Sequence, residues 1–191
     1  MAVVAARTGQ MLNYNDIARD VGVSAPTIKS WLSVLEASGI VYLLQPYFNN
    51  VTKRAIKTPK LYFLNTGLAA HLTRWSTPET LERGAMSGAF FETFVISEIL
   101  KSYLSAGITN APLYYYRDKD KREVDLIIEA NGRLHPIEIK RTANPSSKDI
   151  SAFSVLDNLG NIKRGPGGII CTYKEKRKIS LNDYIIPISY I

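Results

Sequence analysis

Three kinds of hydrophobic spacing follow one another along the chain. In the first stretch, LNYNDIARDVGVSAPTIKSWLSVLEASGIVYLL, apolar positions recur at helical intervals. Asn13 or Asn15 can cap a short helix carrying Ile17, Ala18 and Val21, and Gly22 breaks it. Ser24 is a good N-cap, and Pro26 fits the first turn of the next helix. Ile28, Trp31, Leu32 and Leu35 form its one-sided stripe, and Gly39 stops it. IVYLLQPY and PKLYFLN (residues 59–65) then read as strands joined by a basic loop holding Lys53, Arg54, Lys57 and Lys60. Helix, tight turn, helix and a two-stranded ribbon is the layout of a winged helix-turn-helix.

Residues 67–88 read as a connection, with a helix start at Thr77-Pro78. A longer helix follows in GAFFETFVISEILKSYLSAG. Advancing about 100° per residue puts Glu92 in the middle of the stripe of Val95, Ile96, Ile99 and Tyr103, while Glu98 points away. A buried carboxylate needs a partner or a metal. A structural ion pair answers that need, and so does a role in an acidic site.

The pattern then becomes strand-rich. LYYYR is one strand, KDKR a charged turn, and REVDLIIEANGRLHPIEIKR a hairpin about Asn131-Gly132, since a two-residue type I′ turn needs positive φ at both central residues. Counting outward, Ala130 faces Arg133, Ile128 faces His135, Asp125 faces Glu138 and Glu123 faces Lys140. Alternation puts Glu123, Asp125, Glu138 and Lys140 on one face. Like charges directly opposite are destabilising, so a positive group is expected between Asp125 and Glu138. Pro136 strains the register if a further strand pairs with it. Ser146 or Ser147 caps a helix with Ile150, Phe153, Leu156 and Leu159, GGIICTY is a buried parallel strand, and YIIPISYI is a final strand or cap.

Composition changes this picture in three ways. Net charge is +7, from 24 basic and 17 acidic residues, which favours a polyanion partner. One cysteine excludes an internal disulfide and fits a reducing cytoplasm, and with two separated histidines it argues against structural zinc. His71 and His135 have no partner at metal-ligand spacing, and no apolar run is long enough to span a bilayer.

The acids make a chemical kit. Carboxylates suit Mg²⁺ or Mn²⁺, which keep several waters and bind substrate phosphates. Such an ion would relieve the Asp125–Glu138 repulsion, with Glu92 as a third ligand. Lys140 would orient a water or neutralise developing charge. A plain Glu123–Lys140 salt bridge is the structural alternative. On α-helical surface chemistry, Thr27, Lys29 and Ser30 are the second helix's candidates for nucleic-acid contact, and Lys53, Arg54, Lys57 and Lys60 are the loop's.

GAFFETFV, REVDLII and PIEIKR resemble the core of the PD-(D/E)xK nuclease superfamily over residues 88–173. The resemblance implies a restriction-endonuclease-like α/β domain with a mixed four-stranded sheet. It also implies an Mg²⁺-dependent phosphodiesterase site of Glu92, Asp125, Glu138 and Lys140. Val124 stands where those proteins usually carry proline. Over nearly its whole length the chain is similar to a C-terminal domain of unknown function that follows an AAA-type ATPase domain in bacteria and archaea. The expected architecture is therefore α+β, with a winged helix over residues 1–72 and the nuclease-like domain over 73–191. No Gly-x-x-x-x-Gly-Lys-Ser/Thr occurs, so an ATPase domain would be a partner outside this chain. MAVVAARTGQ opens inside what reads as a helix, and either an artificially shortened chain or a truncated reading frame is expected. The expected function is a duplex-DNA-binding, metal-dependent nuclease, cytoplasmic and without membrane contact. The alternatives are an inactive nuclease-like docking or DNA-binding module for an ATPase and a winged-helix regulator. A homo-oligomer stays open.

Overall fold

The computed structural model describes residues 1–47, 57–158 and 162–191. The chain is mixed α and β and divides into two compact units. Unit 1 comprises Met1–Leu44 and Thr58–Ser97; unit 2 comprises Gln45–Lys57 and Glu98–Ile191.

Unit 1 runs α1 (Ala2–Ala5), β1 (Gln10–Met11), α2 (Tyr14–Val21), α3 (Ala25–Ala37), β2 (Val41–Leu44), β3 (Lys60–Phe63), α4 (Thr66–Leu72) and α5 (Pro78–Arg83). The first part of α6 (Ser87–Ser105) completes it. The Asn13 side chain accepts the Asn15 and Asp16 amides, satisfying donors left open at the start of α2. Gly22, at φ +79, ends that helix in the left-handed region, where a side chain is strained. Ser24 caps α3 by accepting the Thr27 amide at 3.3 Å. The ribbon of β2 and β3 gains β1 as a third, antiparallel strand, in the order β1-β3-β2. Ile17, Ile28, Leu32, Leu61, Phe63 and Phe90 fill the core. Trp31 does not join them: it stays 51 % exposed, because it lies at the margin of the face that Ile28 and Leu32 bury.

The division between the two compact units falls inside α6, between Ser97 and Glu98.

Unit 2 holds β4 (Leu113–Arg117), β5 (Glu123–Ala130), β6 (Arg133–Ile139), a 3₁₀ segment (Ser147–Asn158), β7 (Lys163–Arg164), β8 (Gly167–Cys171), β9 (Arg177–Lys178) and β10 (Asp183–Pro187). Its sheet has seven strands, in the order β4-β5-β6-β8-β10-β9, with β7 also pairing β6. This corrects the four strands expected. β7 and β9 are two residues long, too short to carry a period. β10 lies parallel to β8, whose five residues are all buried and so require a neighbour on each side.

Asn131 (φ 52) and Gly132 (φ 68) make the turn as expected, and pairing runs outward from Ala130–Arg133 through Ile128–His135 to Leu126–Ile137. Pro136 is accommodated by a change of neighbour. Arg133 and Leu134 pair with β7, Ile137 to Ile139 pair with β8, and Pro136 falls between the two. β8 then comes in close. A Cβ on Gly167 would stand 2.6 Å from the Pro136 carbonyl oxygen, and one on Gly168 would stand 2.9 Å from that of Tyr184.

The segment expected as a helix after Ser146 is 3₁₀ instead. Ile150, Phe153 and Leu156 repeat every three residues, and a 3₁₀ turn stacks that spacing on one side. They pack on the sheet face carrying Ile127, Leu134, Ile169 and Cys171.

Candidate functional site

The hairpin acids occupy the place where β5 and β6 separate. Regular pairing ends at Leu126–Ile137. The next pair on the same count is Asp125 with Glu138, and the amide of Ile139, which an unbroken ladder would give to a β5 carbonyl, goes to Asp125 Oδ2 at 2.9 Å. Beyond this point β5 continues beside β4, with Tyr116 opposite Val124 and Arg117 opposite Glu123. β6 continues beside β8, and the Lys140 amide donates to the Ile170 carbonyl at 3.0 Å. Alternation puts Glu138 on the same face as Leu134, the face the 3₁₀ segment covers, while the β4–β5 register shifts opposite Asp125 and Leu126, so that Val124 and Ile127 both reach that core. Both acids are half-buried.

The Lys140 ammonium bonds to the carboxylate of Asp149, in the first turn of the 3₁₀ segment. That bond is the main reason its pKa is raised; burial works against it, and the negative charges of Asp149, Glu138 and Asp125 add to it. Burial alone would raise the Asp149 carboxyl, but hydrogen bonds from Lys140 and from the Ser146 amide and hydroxyl hold it below its ordinary value. Sequence reasoning missed Asp149, whose only advance signal is its place three residues after a capping serine. Glu123 does not pair with Lys140. It accepts from Arg117 Nη1 at 2.8 Å across the β4–β5 turn.

Glu92 belongs to unit 1, where two residues of β3 hold it. Lys60 Nζ donates to its Oε1 at 2.9 Å and Tyr62 Oη donates to the same atom at 2.5 Å. The Lys60 and Glu92 side chains are only 5 % and 16 % exposed. The need of a buried acid for a partner is met here by a lysine and a phenol. Lys60, expected among the loop cations, is thus turned inward.

Among the described residues no group of three or more His, Cys, Asp or Glu side chains is arranged to hold a metal ion. Two carboxylates of adjacent strands remain a fitting donor set for Mg²⁺ or Mn²⁺, hard cations that bind through one or two carboxylates and keep several waters.

Of the nucleic-acid candidates, Lys29 and Ser30 are exposed on α3 and Thr27 is half-exposed, its hydroxyl bonded to Ser24 Oγ at 2.8 Å. Lys57 is exposed in unit 2, and Lys53 and Arg54 lie outside the described residues. His135, set apart from metal binding by its sequence context, lies 2.9 Å through Nδ1 from the Pro166 carbonyl oxygen.

Comparison with known proteins finds two domains of unknown function: DUF8612 over residues 1–79 and DUF4143 over residues 87–191. Uncharacterized proteins of Mycobacterium bovis and Mycobacterium tuberculosis are each 36 % identical over 149 residues. The match covers 78 % of this chain and 33 % of each relative, so the chain spans about a third of the length of the curated relatives it matches. No solved structure matches it.

Proposed function

The chain belongs to the DUF4143 domain family, and on that premise we propose a nucleic-acid-binding protein with a divalent-metal-dependent phosphodiesterase site, acting within a longer protein of the AAA-type ATPase kind. DUF4143 is a C-terminal domain type associated with such ATPases. The observation that carries the chemical part is the end of regular β5–β6 pairing at Leu126–Ile137, which leaves Asp125 and Glu138 as the next cross-strand positions, with the Asp125 carboxylate held by the Ile139 amide.

In this reading Asp125 and Glu138 hold Mg²⁺ or Mn²⁺. The ion would supply a Lewis acid for a phosphate and acidify a bound water. The Asp125 carboxylate is fixed in direction by the Ile139 amide. Lys140 stands close enough to both acids to feel their charge, and an ammonium so placed orients a water or offsets charge developing on a phosphate. The mixed sheet, with an antiparallel β5–β6 pair and a parallel β6–β8 pair, supports a nuclease-like reading of unit 2. Two capped helices followed by an antiparallel ribbon support a winged-helix reading of unit 1, with Thr27, Lys29 and Ser30 toward duplex DNA. The net charge of +7 supports a phosphate-rich partner.

Calorimetric titration of Mn²⁺ into wild type and Asp125→Ala, with a DNA degradation assay on both, tests the proposal. Binding and cleavage by wild type alone support it. Absence of both from wild type rejects it.

One observation favours a second reading, a non-catalytic docking module for an ATPase domain: the helix acid Glu92 is already engaged by Lys60 and Tyr62. That module would bind an ATPase domain supplied in trans and neither bind Mn²⁺ nor cut DNA.

A further inference from the structure

We propose that the β9 edge of unit 2 is a docking surface for the phosphodiester backbone of nucleic acid, formed by Lys174, Lys176, Arg177 and Lys178. The inference rests on the nucleic-acid half of the reading above, extends it to a second place on the chain, and does not depend on the metal site.

The sheet of unit 2 has two unlike edges. At one, residues 45–47 lie along β4: the Tyr115 amide donates to the Gln45 carbonyl at 3.1 Å, and the Tyr47 amide donates to the Tyr115 carbonyl at 2.6 Å. At the other, β9 is the last strand, and no described strand pairs with its outer side. Lysine on an edge strand commonly guards it against pairing with other chains. A guard needs little charge, whereas residues 174–178 hold four cations and one acid, Glu175, and so carry three of the chain's seven net positive charges. All four cations are exposed, and among the described residues none of them forms an ion pair. Like charges concentrated in this way repel one another, and a polyanion relieves the repulsion.

Two of the cations rest on rings. The Arg177 guanidinium carbon lies 4.6 Å from the centroid of the Tyr173 ring, and Lys176 Nζ lies 5.9 Å from that of Tyr184. Lys178 pairs with Tyr184 and Arg177 with Ile185, so alternation puts Lys178 on the Tyr184 face of the sheet and Arg177 on the opposite one. The cations therefore flank the edge on both sides. A guanidinium offers phosphate oxygens a fork of donors, and lysines offer point charges. Ring faces that hold cations are not open to bases, so the contacts go to the backbone and carry no sequence information. An acidic peptide would bind an edge mainly by adding a strand, and β9, two residues long, gives it little ladder to extend. A phosphate backbone needs only the charge.

The test is fluorescence anisotropy of labelled duplexes of two unrelated sequences with the full chain, in EDTA so that nothing is cut, over a range of salt. The proteins are wild type, Lys176→Gln/Arg177→Gln and Lys29→Gln. Wild type is expected to bind both duplexes alike. The double variant should bind both at least about tenfold more weakly at low salt, with a salt slope smaller by about two, one for each lost phosphate contact. Its urea unfolding should match wild type, since both side chains are exposed. A readout that needs no variant is acylation of wild type followed by peptide mapping, in which bound duplex should protect Lys174, Lys176 and Lys178. Equal affinity and slope in wild type and the double variant overturn the proposal, and so do lysines as reactive with duplex as without it. If only Lys29→Gln weakens binding, α3 carries the contact and this edge does not. Poly-glutamate bound as tightly as duplex also overturns it, by marking a surface for acidic peptides. Failure of wild type to bind either duplex rejects the nucleic-acid reading as a whole.

Discussion

Asp125 Oδ2 accepts the amide of Ile139 at 2.9 Å, so a side chain takes a donor that the strand ladder would otherwise use. The acid has two duties, ending the β5–β6 pairing and supplying a carboxylate. Asp125→Asn keeps an oxygen acceptor for the amide and removes the charge. Asp125→Ala removes both and leaves the Ile139 donor unpaired, at a cost of about 1–3 kcal/mol. Urea unfolding is expected to put Asp125→Asn near wild type and Asp125→Ala below it, with Mn²⁺ binding lost from both.

The Lys60–Glu92 pair in unit 1 should behave as a buried ion pair. Removing either partner alone takes away the opposite charge that compensates the other's burial, and breaking such pairs costs about 3–5 kcal/mol. Lys60→Met and Glu92→Leu are each expected to destabilise the fold strongly, and the double variant far less than their sum. A double-mutant cycle by urea denaturation measures the coupling. Additive losses would show that the two side chains act independently.

Gly167→Ala places a methyl group against the Pro136 carbonyl oxygen and ring, at 2.6 Å and 2.8 Å before any adjustment. Neither neighbour is a flexible side-chain end, so β8 must shift away from β6. A loss of about 1–3 kcal/mol is expected, as for other overpacked sites. Gly132→Ala meets no atom within 4 Å but adopts φ +68, so its loss comes from the backbone alone.

The Lys140–Asp149 pair gives stability a defined pH window. Asp149 is held below its ordinary value of 3.8, so its contribution is complete above that pH and fades as acid protonates it in the folded protein. Lys140 is raised above its ordinary 10.5, so its contribution is complete below that pH and fades in strong alkali. The stability difference between wild type and Asp149→Asn should therefore be level from about pH 5 to pH 10 and narrow toward pH 3. Chemical denaturation across that range measures it.

Cys171 lies fully buried on β8, and burial pushes its thiol pKa up. Thiolate is the reactive form. Iodoacetamide at pH 8 is expected to leave the native protein unlabelled and to modify one thiol per chain in urea, as read by mass spectrometry.

Features written in neighbouring residues were legible in the sequence. Asn131-Gly132 specifies its turn through two positive φ values, and the hairpin register follows by counting. Asn13, Ser24 and Thr77 announce helices because each cap binds an amide within three residues. What was not legible depends on residues far apart or elements too short to repeat. Glu92 stands out as an acid in an apolar stripe, but its partner Lys60 lies 32 residues earlier, in a loop-like basic context. Asp149 reaches Lys140 only after an irregular turn brings the 3₁₀ segment back onto the sheet. The three-residue spacing of Ile150, Phe153 and Leu156 did not separate 3₁₀ from α in the sequence, because over so few turns the two periods barely diverge.

The change of partner at Pro136 has a consequence for loop length. β6 meets β7 on one side of the proline and β8 on the other, and only Gly165 and Pro166 lie between β7 and β8. That spacer works as a ruler: it aligns Ile169 with Glu138 and Ile170 with Ile139. Adding or deleting one residue there would slide the whole parallel strand by one step, turn its inward side chains outward, and give the acidic end of β6 a different neighbour without touching a single acid.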